Sequence, residues 1–226
     1  MTSKRTSRVT GLLLIVQLAG LIVPFVLLLP LGRDFLTTAA PAAGAIRTAV
    51  IALFANGGLT IGLSFLVARV LRSGLDAGSL WLVSAAVIMS VLQAVDSACI
   101  LSMLAVSDRF VNATHPDETL RVAGDTIRTV RQWTHTFAIL AIDVWIASMY
   151  VLLQRRKAVP RALTAFGLFT VGLHFVGIPL RSVLGYVPLG TLGMPMALGH
   201  LALAAWLLTR GVAHVHPRPA NADVLA

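Results

Sequence analysis

The chain has 226 residues, of which 57% are hydrophobic and 12% charged, with a mean hydropathy of +0.86. A soluble domain carries about twice that charged fraction, so water is excluded as the solvent for most of the chain. The net charge of +9 does not argue for nucleic acid, because the cations stand in short clusters beside apolar blocks. Lys4, Arg5 and Arg8 form one cluster and Arg155, Arg156, Lys157 and Arg161 another, the pattern that flanks membrane spans and meets anionic headgroups.

A membrane span needs about 20 mostly apolar residues to cross roughly 30 Å of hydrocarbon, and six blocks qualify. After a basic N-terminus at 1–10, the first runs near 11–30, with Pro24 marking a kink or helix end. The cations before it and the small residues at 37–43 also resemble a secretory signal. Its apolar core of about 20 residues exceeds the roughly 7 to 15 of such a signal, so it is read as a retained first span. The second and third blocks run near 49–71 and 80–106. The one cysteine, Cys99, falls in the third; it excludes an intrachain disulfide or a thiolate metal cage and reads as a packing residue.

A long connection at 107–133 follows. Past Asn112, Pro116, Asp117 and Glu118, the residues Leu120, Ala123, Ile127 and Val130 recur at three and four positions, while Arg121, Asp125, Arg128 and Arg131 take other faces. This predicts an amphipathic helix on the outer surface that runs into the fourth span or stands beside it. The fourth block runs near 134–153. Pro160 suits the first turn of the fifth, at 161–181, and Pro179 and Pro195 mark further kinks or ends. The sixth runs near 191–210, before a flexible polar tail at 211–226.

Backbone in hydrocarbon must satisfy its own hydrogen bonds, and the blocks are too long for barrel strands. The expected fold is therefore all-α: one polytopic membrane helix bundle of about six spans, partnered by the lipid bilayer. With the N-terminus inside, Lys4, Arg5, Arg8, Arg69, Arg72, the four cations of 155–161, Arg210 and Arg218 lie on the inner side, eleven of the 18. The outer segments hold the other cations together with Asp34, Asp108, Asp117, Glu118 and Asp125. The bias places both termini in the cytoplasm of a cell-membrane protein.

Three stretches, VLQAVDSACIL around Gln93, PRALTAFGLF opening the fifth span and GHLALAAWLLTRGV closing the sixth, resemble a family of bacterial membrane proteins of unknown function, the one numbered 4386. Helix count, chain length and the place of the long loop are similar too, and the resemblance covers most of residues 10–212. It implies the six-helix fold. The family has no assigned activity, so it implies no role for any residue.

Polar residues at bilayer depth remain. An Asp there costs roughly 2.5 to 3.5 kcal/mol on insertion scales and requires a partner or a purpose. At about 1.5 Å per residue, Asp143, Gln93 and His200 fall near the midplane. Asp96, His174 and Asn56 fall roughly 4 to 6 Å outward, and His135 lies near the outer interface. Gln93, Asp96, Cys99 and Ser102 are expected on one helix face, and His135 and Asp143 on one stripe of another.

Three roles follow from this slab of polar groups. The first is binding or proton-linked transport of a small molecule or ion through Asp96, Asp143, His174 and His200. The second is a nonenzymatic accessory or sensor bundle, whose polar groups only hold helices together at about 0.6 kcal/mol per hydrogen bond. The third is a membrane haem protein with His174 and His200 as axial ligands. No G-x-S-x-G, H-E-x-x-H or phosphate loop points to an enzyme or to a metal site.

Overall fold

A computed structural model describes residues 3–71, 76–114, 118–185 and 193–212. Arg72, Pro116, Asp117, the start of the sixth block at 191–192 and the tail from 213 lie outside the described residues. Among the described residues the regular structure is entirely helical: α1 (Ser3–Leu27), a 3-10 turn at Leu29–Leu31, α2 (Phe35–Thr38), α3 (Ala43–Val70), α4 (Ala77–Asn112), α5 (Glu118–Arg155), α6 (Arg161–Leu184) and α7 (Gly193–Thr209). All six expected spans are present as helices. Five are long and apolar enough to cross a membrane, and α7 is a shorter apolar helix of 17 residues, at the lower edge of spanning length.

The helices close a ring. α1 packs on α3, α3 on α4, α4 on α5, α5 on α6, α6 on α7, and α7 returns to α1. Only 28% to 44% of the most apolar window of each long helix is buried inside that ring, so most of the greasy surface faces outward. Ile51 and Phe54 are 70% and 73% exposed, whereas Gln17, Asn56, Gln93, Asp96, Asp143 and His200 are buried. An apolar exterior of that extent is incompatible with water and is solvated by lipid tails.

Two apolar cores fill the interior. The larger, around Trp145, Met149, Tyr150, Leu63 and Leu82, sits toward the end where α1, α4 and α6 begin, called here the basic end. The smaller, around Phe35, Ile46, Ile100 and Met103, sits at the far end. The expected helix of the long connection runs into the fourth span: it is the opening of α5, which continues unbroken for 38 residues. This stretch meets protein in part, because Gly124 leaves room for Phe35 and Leu36 of α2 and Ile127 packs on the far core, while Val130 of the apolar stripe stays exposed. Ser107 of α4 completes this cap, donating to the Leu36 carbonyl and accepting from Ala40 N–H, each at 2.9 Å.

Local chemistry sets the helix ends at the basic end. Asp76 is the N-cap of α4 and accepts from Ser79 N–H at 2.8 Å, while Arg156 bonds its other carboxylate oxygen. The Ser79 N–H, and after it the Arg156 guanidinium, hold the Asp76 carboxyl below its ordinary value. Pro160 caps α6, with its carbonyl accepting from Leu163 N–H and Thr164 N–H. Higher up, the Tyr150 ring of α5 occupies the place that a side chain on Gly167 of α6 would take.

Two stability predictions follow from these contacts. Gly167→Val forces Tyr150 out of place and costs about 1 to 3 kcal/mol, read as a lower melting temperature in detergent, whereas Gly62→Ala, where an added Cβ meets nothing within 4 Å, leaves melting unchanged. Asp76→Ala removes the cap and costs about 1 kcal/mol near neutral pH. Because the folded carboxyl titrates below its ordinary 3.8, that contribution is complete above 3.8 and fades as pH falls through the lowered folded value. The melting difference between wild type and variant therefore narrows in acid.

Candidate functional site

The polar residues expected in one slab separate into two acid–histidine contacts and an uncharged ladder. Asp143 of α5 has no exposed surface, and His174 of α6 places Nδ1 at 2.8 and 3.0 Å from its two carboxylate oxygens. If the acid is ionised, the imidazole N–H donates; if the acid is protonated, its O–H donates to a bare ring nitrogen. A proton is shared in either form. On its other edge, His174 Nε2 would stand 3.3 Å from a Cβ added to Gly193 at the start of α7, so the ring is clasped between α5 and α7.

The second contact lies farther toward the far end. Asp96 of α4 is buried and faces one turn of α5. His135 Nδ1 stands 3.3 Å from one oxygen, with Thr134 Oγ1 at 3.5 Å and Arg131 Nε at 3.7 Å from the other. The arginine is close enough to neutralise the acid but makes no hydrogen bond through Nε. The His135 side chain is 43% exposed, so this site reaches the surroundings of the bundle. The sequence pattern sets Arg131 only off the apolar stripe; its separation of four from His135, one helical turn, is the signal that could have paired them.

His135 and Asp143 therefore do not line one site. The first turns toward α4 and the second toward α6, about 12 Å of helix rise apart. The face expected to carry Gln93, Asp96, Cys99 and Ser102 also divides, with Gln93 and Asp96 buried, Cys99 half-buried and Ser102 exposed and bonded to the Ala98 carbonyl.

Asn56, Gln93 and His200 make no hydrogen bond to either acid among the described residues. Trp145 Nε1 donates to Ser64 Oγ at 2.8 Å, Ser64 to the Thr60 carbonyl at 2.8 Å, and Thr60 to the Asn56 carbonyl at 2.9 Å. The His200 ring is tilted 47° against Trp145, with centroids 6.4 Å apart. Its two nitrogens, the Asn56 amide atoms and Gln93 Oε1 have no hydrogen-bond partner among the described residues. His174 and His200 are not brought together as a facing pair, since His174 lies beside Gly193, about 10 Å of helix rise from His200. Among the described residues no group of three or more His, Cys, Asp or Glu could hold a metal ion.

Beside the Asp143 contact the bundle opens into a groove of about 940 Å³ between α5 and α6, a size at the upper end of small-molecule sites. It begins at the basic end, where Asp76, Arg155 and Arg156 line it, and runs along Ala147, Leu168, Val171 and Gly172 to Asp143. Along α5, Arg155 and Asp143 are separated by a rise of about 18 Å. Trp81, Phe175 and Val176, which also line it, are exposed, so the groove faces lipid sideways.

No curated protein and no solved structure matches the chain. A family described as a domain of unknown function, DUF4386, matches residues 9–211, which takes in the bundle from the early turns of α1 to the end of α7. The chain belongs to that family.

Proposed function

We propose that this protein binds or moves a small molecule or ion in step with protonation, with Asp143 and His174 as the protonatable element. The observation that supports this most is a fully buried carboxylate, hydrogen-bonded to one imidazole, standing at the inner end of a groove that opens at the basic end. In hydrocarbon such an acid is neutralised by a proton, by the imidazolium or by a bound cation, and exchange among those states couples occupancy to pH. Asp96 of α4 with Arg131 and His135 of α5 is a second such contact nearer the far end. Cation bias orients the basic end toward the cytoplasm.

The reading as an accessory or sensor bundle has its own support in the ladder from Asn56 through Thr60 and Ser64 to Trp145, whose last rung ties α3 to α5 and needs no ligand. The two readings part at Asp143. Infrared pH-difference spectra of the purified protein are expected to contain a protonated-carboxyl band that Asp143→Asn abolishes and Asp96→Asn leaves in place. In liposomes under an imposed pH gradient, Asp143→Asn is expected to slow proton uptake at least tenfold. A spectrum without any band assignable to Asp143, in a variant that only melts lower, leaves the packing role standing instead.

A further inference from the structure

We propose that the groove between α5 and α6 holds one acyl chain of an anionic phospholipid, with the phosphate at Arg155. This names the ligand class for the reading above and rests on the groove being a ligand site, though not on proton exchange at Asp143. The length fits first. From Arg155 to Asp143 the groove climbs about 18 Å, close to the roughly 15 Å between headgroup level and the middle of a 30 Å hydrocarbon layer.

The walls also favour a chain over a hydrophilic solute. Between the mouth and Asp143 the groove is lined by Val144, Leu168 and Val171, with Ser148 among them. The Ser148 hydroxyl is satisfied, donating to the Val144 carbonyl at 2.6 Å, and both Asp143 oxygens are engaged by His174. A polar solute leaving water meets only spare acceptor lone pairs on Ser148 and Asp143 along that stretch, while a lipid methylene chain passes from hydrocarbon into an equally apolar channel without desolvation. Gly172 widens the groove, since a Cβ built there meets nothing within 4 Å.

The mouth supplies charge. Asp76 is answered by Arg156, and the neighbouring Arg155 is exposed, with no ion pair to a described residue. Lys157 and Arg161 stand just beyond it on the chain, both exposed. An unpaired guanidinium at headgroup level next to an apolar channel complements a phosphate carried on a hydrocarbon chain.

Native mass spectrometry of protein from nanodiscs containing equal phosphatidylglycerol and phosphatidylcholine tests this. Wild type is expected to retain one phosphatidylglycerol at least fivefold over phosphatidylcholine, and millimolar inorganic phosphate is expected not to displace it. Arg155→Gln should erase the preference but keep a bound lipid. Gly172→Phe should lower retention of either lipid at least fivefold; Val176→Trp, which projects from an exposed wall of the same groove, serves if the first variant fails to fold. Equal retention of the two lipids by wild type, unchanged retention in both filled variants, or displacement by phosphate overturns the proposal. Asp143→Asn separates the two readings. Loss of its infrared band with lipid preference retained leaves both readings standing; a wild-type protein with the Asp143 band and no lipid preference removes this inference alone, and lipid preference without any band assignable to Asp143 removes the proton reading alone.

Discussion

Hydrocarbon offers a polar group no hydrogen bond, so whatever the helices carry into the bundle must find its partner there or go without. The Asp143 contact with His174 meets that constraint at its most demanding, because the acid has no exposed surface and one imidazole provides both of its hydrogen bonds. The same demand explains why the ring of helices is inverted relative to a soluble protein, with Phe54 outside and Asn56 inside. Some of the side chains that turn in are tied across helices: Trp145 to Ser64 joins α5 to α3, and Asp96 to His135 joins α4 to α5.

Block length and cation clusters carried the architecture in the sequence, and each of the six blocks corresponds to a helix. What they did not carry was direction around the helix axis. Spans that are apolar on all sides have no amphipathic stripe to reveal which face turns inward, so depth could be counted but orientation could not. Asp96, Asp143, His174 and His200 share a depth band, yet the partner of Asp143 is set by how α6 leans on α5. Gly167, by admitting the Tyr150 ring, is one determinant of that lean. Ser102 shows the same limit from the other side: three-residue spacing put it on the face of Asp96, and accumulated rotation carries it out to an exposed position.

The amphipathic stretch before the fourth span was visible as a pattern, but its partner was not. An apolar stripe flanked by arginines fits a headgroup layer as well as it fits protein, and only the position of Phe35 and Leu36 against Gly124 decides between them. At the basic end the tight connection from α5 to α6 was easier to read, with Pro160 at the cap. The positive φ of Lys157 and the buried Ala158 and Val159 belong to that turn. It pins the two helices together just below the point where the groove between them opens.

The unbroken course of α5 has a mechanical consequence. Thr134 and His135 at one level and Asp143 at another are fixed to a single rod, and each residue of an α-helix turns its successor by about 100°. The angle between the α4-facing and α6-facing contacts is thus a property of residue count, not of flexible linkage. One residue added or deleted between His135 and Asp143 swings one contact away from its neighbour while the other stays seated. The two contacts are held in phase by a shaft that cannot slip.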